Sequence, residues 1–188
     1  MTLFEYLSVA LSIVVSLGAA QPLGGLRGAL RPEGRYWVHV AWIGALLFGH
    51  LLIWWEFWGY RHVEDWTLGG FILMLVNPGL YYVAASALIE VNEDEGRGRE
   101  ARFHELKGSF CLPFGLVIPI SMLRDWLILG IPMTFPKSLP EMLVAVVALV
   151  AWSTSNRRVH AGLAALISFV LLGGVALVWL RPGGASAG

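Results

Sequence analysis

The chain has 188 residues, of which 57% are hydrophobic and only 14% charged, and its 13 basic and 13 acidic side chains cancel to a net charge of zero. A soluble domain carries about a quarter charged residues, so this composition, with a mean hydropathy of +0.68, excludes a chain solvated on all sides. Zero net charge gives no footing for a nucleic-acid partner, and the lone Cys111 excludes a disulfide framework or a thiolate metal cage. The class that remains is an all-α integral membrane protein, with the lipid bilayer as its first partner.

A helix that crosses about 30 Å of hydrocarbon needs roughly 20 apolar residues. The first such segment covers residues 3–23. It lacks the basic stretch of a secretory signal, so it reads as an uncleaved helix. Glu5, Ser8, Ser12 and Ser16 recur at three- and four-residue steps and form one narrow stripe. Small hydroxyl residues in that pattern suit a helix–helix seam, with a water- or ion-lined path as the rival reading. Gln21-Pro22 and Gly24-Gly25 predict a break or bend at the end of this helix.

The second segment, 36–60, ends in the sequence HLLIWWEFWGY. At 100° per residue, Ala41, Ala45 and Gly49 line one side as a packing seam, and Glu56 falls close to that line. His39, Ile43, Leu46, His50, Trp54 and Phe57 lie about 120° away and read as a bulky, lipid-like face. The third segment, 66–89, carries Asn77-Pro78-Gly79 near its middle. Pro78 has no N–H for the Met74 carbonyl, which predicts a kink with a polar residue beside it.

Residues 90–108 form a polar loop or short extramembrane helix. The fourth segment, 109–129, contains Pro113 and Pro119 and is expected to be irregular. Arg124 and Asp125 sit toward its far end, and residues 126–138 are apolar enough to lie along an interface or re-enter. The fifth segment, 139–153, opens on Ser138-x-x-Glu141 with capping-box spacing and Pro140 in the first turn. The sixth covers 161–180, and 183–188 reads as a flexible tail. Residues 1–182 thus form a single bundle of about six helices, with kinks in the third and fourth.

Loops after the odd-numbered segments carry nine basic residues, Arg27, Arg31, Arg35, Arg97, Arg99, Arg102, Lys107, Arg157 and Arg158. The opposite side carries four, Arg61, Arg124, Lys137 and Arg181. The positive-inside rule then directs both termini away from the cytoplasm. Up-and-down topology gathers Glu5, Glu56, Arg61, His62, Glu64, Asp65, Arg124 and Asp125 at one end, beside Trp54, Trp55, Trp58, Trp66 and Trp126. Charges at such depth are costly unless paired or hydrated, so Arg124 is expected to answer Glu56 or Glu5.

The stretches FEYLSVALSIVVSLGAAQPLGGL, YWVHVAW and HLLIWWEFW resemble a group of small multi-pass bacterial membrane proteins of uncharacterised function. That resemblance covers roughly the first 60 residues. It implies a bacterial inner membrane and a shared unit of the first two helices, and it supplies no activity or ligand.

No Walker A loop, nucleotide-binding glycine motif, HExxH or nucleophile elbow occurs, so no catalytic residue is assigned and an enzyme is the least supported class. No metal or cofactor is assigned; b-type haem at His39 or His50 lacks a matching histidine on a facing helix. The candidate residues for transport or a polar network are Glu5, Ser8, Ser12, Ser16, His50, Glu56, Asn77, Arg124 and Asp125. They point to an oligomeric channel or transporter for ions, protons or a small solute. The alternative is a non-catalytic accessory or scaffold subunit that binds a partner membrane protein through the Ala41–Ala45–Gly49 face and the 90–108 loop.

Overall fold

A computed structural model describes residues 2–32, 35–91, 98–132 and 135–177, with the side chains of 135–138, 140 and 174–177 outside that description. Among the described residues are six α-helices: α1 (Leu3–Ala29), α2 (Trp37–Phe57, continued by a 3-10 turn at Trp58–Tyr60), α3 (Leu68–Glu90), α4 (Arg99–Leu129), α5 (Phe135–Ser153) and α6 (Arg157–Leu177). Helices α1 to α4 are long and apolar enough to cross a membrane.

Helix starts follow from side chains that satisfy the first free N–H groups. The Thr2 hydroxyl accepts from the Glu5 N–H at 3.2 Å while the Thr2 N–H donates to the Glu5 carboxylate at 2.8 Å, a complete capping box. Thr67 caps α3 by accepting from the Gly70 N–H at 3.0 Å. The Asn156 side chain accepts from the Arg158 N–H at 2.9 Å and opens α6 four residues earlier than the hydropathy pattern places it. α4 ends where Gly130 adopts a left-handed φ of 66°, the conformation that glycine enters without a Cβ clash.

Four expectations are corrected. Of the break or bend expected at Gln21-Pro22, the break does not occur: α1 continues to Ala29, because Gly18, Pro22, Gly25 and Ala29 extend the buried seam of Leu7, Leu11 and Val15. α4 begins at Arg99 rather than 109, so much of the expected polar loop is helix. Residues 126–129 complete α4 instead of lying along an interface, and α5 starts at Phe135, which places Ser138 and Pro140 inside the helix rather than at its cap. Pro78, where a kink is expected, lies inside α3, and Pro113 and Pro119 lie inside α4. The expected tail, 183–188, lies outside the described residues.

The fourth correction concerns α2. Its supposed lipid face is core: His39, Ile43, Leu46, His50 and Phe57 are buried, and of that set only Trp54 is exposed. The reason is topological. α2 packs against α1, α3 and α6, so more than one of its faces is covered, and bulk on a helical wheel does not distinguish lipid from protein. The expected small-residue seam is also buried at Ala45 and Gly49, while Ala41 is half-buried. The core beneath is aromatic. Trp42 meets Phe110 and Phe114 edge-on, with ring centres at 5.3 and 5.6 Å, and Tyr81 meets Phe114 at 5.8 Å.

Close approach of α2 and α3 depends on Gly49. A Cβ built there falls on the Tyr81 ring, which His50 and Phe114 hold in place. At Gly44, by contrast, a Cβ meets nothing within 4 Å. Gly49→Ala is therefore expected to lower stability by about 1–3 kcal/mol through overpacking. Gly44→Ala is expected to be neutral or to stabilise by up to about 1 kcal/mol through helix propensity. Paired unfolding curves in one detergent check the opposite signs.

Candidate functional site

The end of the bundle that carries Trp54, Trp58, Trp66 and Trp126 also carries a cluster of charges around one buried arginine. Arg124, five residues before the end of α4, is 3% exposed. Its Nε donates to Asp125 Oδ1 at 2.9 Å, and one terminal nitrogen lies 3.9 Å from the Glu56 carboxylate of α2. The Tyr60 hydroxyl, one helical turn beyond Glu56, donates to the same Asp125 oxygen. The guanidinium carbon lies 5.2 Å from the centre of the Tyr60 ring, within cation–π range. Glu141 of α5 is close enough to interact electrostatically with Glu56, Asp125 and Arg124.

Aromatic rings wall this cluster. Phe57 stacks on Phe4 at 4.8 Å and on Tyr60 at 6.2 Å, and Trp66 lies 6.3 Å from both Phe57 and Tyr60. Trp54, Trp58 and Trp126 are exposed around the outside. The walls lower the local polarity and strengthen each charge interaction within them. Glu56 and Asp125 nevertheless keep 31% and 36% of their side-chain surface exposed, so the cluster opens outward.

The arrangement has a surplus of negative charge. Three carboxylates, Glu56, Asp125 and Glu141, face one guanidinium, which leaves a formal charge of −2 when all are ionised. Asp125 takes the close hydrogen bonds, and Glu56 is held only loosely at 3.9 Å. A carboxylate so placed has capacity for a proton or a small cation.

Other candidates fall elsewhere. Glu5 belongs to the α1 capping box, and Arg124 pairs with Glu56 and Asp125. The serine stripe flanks the buried α1 seam instead of forming it. Ser8 and Ser12 donate to the carbonyls of Glu5 and Ser8 at 2.8 and 2.7 Å, Ser12 also accepts from the Trp54 indole at 3.1 Å, and Ser16 is exposed. Arg61 lies over the Trp58 ring, while His62, Glu64 and Asp65 are exposed in the following loop.

Two candidates lie deeper. Asn77, fully buried, donates to Ser121 of α4 at 2.5 Å, and its side-chain oxygen has no hydrogen-bond partner. His50, also fully buried, donates Nδ1–H to the Leu46 carbonyl at 2.8 Å. That fixes Nε2 as a bare acceptor, unpartnered and so close to α1 that a Cβ at Gly18 would strike it. Tyr60 and Glu141 escape the sequence reading as members of the site. Tyr60 carries a signal, since it follows Glu56 by four residues; Glu141 read only as a helix cap.

In comparisons with known proteins, no family model matches the chain, and no curated protein or solved structure matches it.

Removing the one guanidinium strands the carboxylates around it. Arg124→Leu is therefore expected to destabilise the bundle by about 3–5 kcal/mol, the usual cost of orphaning one side of a buried ion pair. Tyr60→Phe, which removes a single hydrogen bond, is expected to cost about 1 kcal/mol. Denaturant titration of both variants in the same micelle checks the ranking.

Proposed function

We propose that this chain is a bacterial inner-membrane protein whose six helices all span the bilayer and which passes protons or a small cation across it as a channel or transporter. The observation that carries this reading is the surplus of carboxylate around buried Arg124, open to the outside of the bundle. In this reading the cluster is the loading point, Arg124 limits how many positive charges it accepts, and Glu56 is the exchangeable acceptor. Buried polar groups farther in, Asn77 with Ser121 and His50 beside Tyr81, supply relay positions.

The membrane setting draws support from the four long apolar helices. α5 and α6, with 19 and 21 residues, rise about 28 and 31 Å at 1.5 Å per residue, close to the thickness of the same hydrocarbon, with the apolar part of α5 confined to Glu141–Ser153. The basic residues at the end bearing the C-terminus of α1 support a cytoplasmic setting for that end, with the acidic cluster on the opposite side. A chain this small walls a pathway most readily as a homo-oligomer. The exposed apolar face of α1, with Tyr6, Val9, Ile13 and Leu17, offers one contact surface.

Proteoliposomes with an internal pH dye test the reading. Wild-type protein is expected to dissipate an imposed proton or cation gradient. Glu56→Gln is expected to slow that flux by about tenfold, a barrier increase of roughly 1.4 kcal/mol, while the protein still elutes as a monodisperse species. Wild-type flux equal to that of empty liposomes, with one stoichiometric partner co-purifying, contradicts the reading and favours an accessory subunit.

A further inference from the structure

The opposite end of the bundle holds a second polar cluster with no part in the site above. His39 of α2, His104 of α4 and His160 of α6 surround the Phe103 ring at centre distances of 6.4, 5.5 and 5.3 Å. Tyr36, just before α2, meets the same ring at 5.4 Å. The imidazoles of His104 and His160 touch edge-to-face with centres 4.9 Å apart.

Hydrogen bonding fixes the protons on two of these rings. His39 Nε2 lies 2.7 Å from the Leu88 carbonyl and His160 Nε2 lies 3.0 Å from the Thr154 carbonyl. A carbonyl only accepts, so each Nε2 carries the hydrogen and each Nδ1 of the neutral ring is a bare lone pair. The Nδ1 atoms of His39, His104 and His160 and the Tyr36 hydroxyl are all buried without a hydrogen-bond partner. Burial, with the charge of Glu100 adding to it, pushes the Tyr36 phenol above its usual range, so that hydroxyl stays a neutral donor. Buried polar atoms left open in this number call for something to fill them. Among the described residues no group of three or more His, Cys, Asp or Glu side chains can hold a metal ion. Lone pairs without metal geometry take protons.

The neighbours determine what a proton would do. Lys107 Nζ donates to the same Thr154 carbonyl at 2.5 Å and to Ser155 at 2.8 Å. Glu100 pairs with Arg157 at 3.3 Å and Arg102 with Glu105 at 3.1 Å, while Arg99 reaches the Arg31 carbonyl at 3.4 Å. Around the pair lie His39 of α2 and Tyr36 just before it, Arg99, Glu100, Arg102, Glu105 and Lys107 of α4, and Arg157 of α6; of the charges, Lys107 acts on both rings and Glu100 on His104. α5 brings none here, since its described residues at this end are apolar up to Trp152 and Ser153.

We propose that His104 and His160 form a proton-binding latch that fastens the first turn of α6 to α4 while both rings are neutral and releases it when either takes up a proton. A proton on either ring places a cation in a buried contact against its neighbour and beside Lys107, a cost that Glu100 offsets only at His104. Protonation therefore disfavours the closed contact, and the latch loosens as pH falls. The inference goes beyond the transport reading and needs no flux to be tested.

The experiment is amide hydrogen exchange on full-length protein in nanodiscs, corrected for intrinsic rate, at about pH 7.5 and about pH 5.5, a span that brackets histidine titration. Wild-type amides of residues 157–162 are expected to lose protection about tenfold at the lower pH. Each single variant, His104→Gln or His160→Gln, leaves one titrating ring and is expected to narrow that difference, and the double variant to abolish it. Equal wild-type protection at both pH values overturns the proposal. So does a double Gln variant that lowers protection at both pH values while keeping the pH difference, since that behaviour marks a merely structural contact. Should any of these variants fail to fold, imidazole nitrogen NMR of the wild type decides. Two coupled titrating rings support the latch, and two rings neutral throughout overturn it.

Discussion

A single guanidinium organises one end of this bundle. Arg124 is nearly inaccessible, and a buried charge is tolerated only when countercharges and hydrogen bonds meet it. Asp125 meets it from the same helix, Glu56 from α2 and the Tyr60 ring from beyond α2. Helix α4 cannot slide along α2 without breaking that set. The register of the two helices, and the position of the turn that leads to α3, follow from it.

Much of this was legible in the chain before any fold was known. Six helical segments, their alternating direction and the gathering of Glu56, Arg124 and Asp125 at one end all follow from hydropathy and topology. Helix ends were less legible, and the reason is chemical. Thr2, Thr67 and Asn156 are capping residues whose effect lies outside hydropathy, and α4 continues through polar residues because helix formation does not require apolar ones. Pro22 read as a breaker, yet packing of the α1 seam holds the helix through it. Faces were the hardest to read. The histidine face of α2 resembles a lipid face in composition and is core because α6 and α3 cover it. The contact of His104 with His160 depends on a tertiary meeting of α4 and α6 that no local pattern records.

The two ends of the molecule handle charge differently. At the tryptophan-rich end, acids outnumber the one buried base and the cluster opens outward. At the basic end, neutral imidazoles with open lone pairs sit among paired arginines and a lysine that shares its carbonyl with His160. Between them lie isolated polar positions, Asn77 with Ser121 and His50 against Gly18, set into an aromatic core.

The account stands on Arg124 and Glu56 acting as one unit, and a double-mutant cycle in stability measures that directly. Arg124→Gln, Glu56→Gln and the double variant are unfolded under identical conditions. The account predicts that the double variant is more stable than the sum of the single losses implies, by about 1–3 kcal/mol, as for charged residues in contact. Losses that add to within about 0.5 kcal/mol would mean that the two residues are neighbours without being partners, and would contradict it.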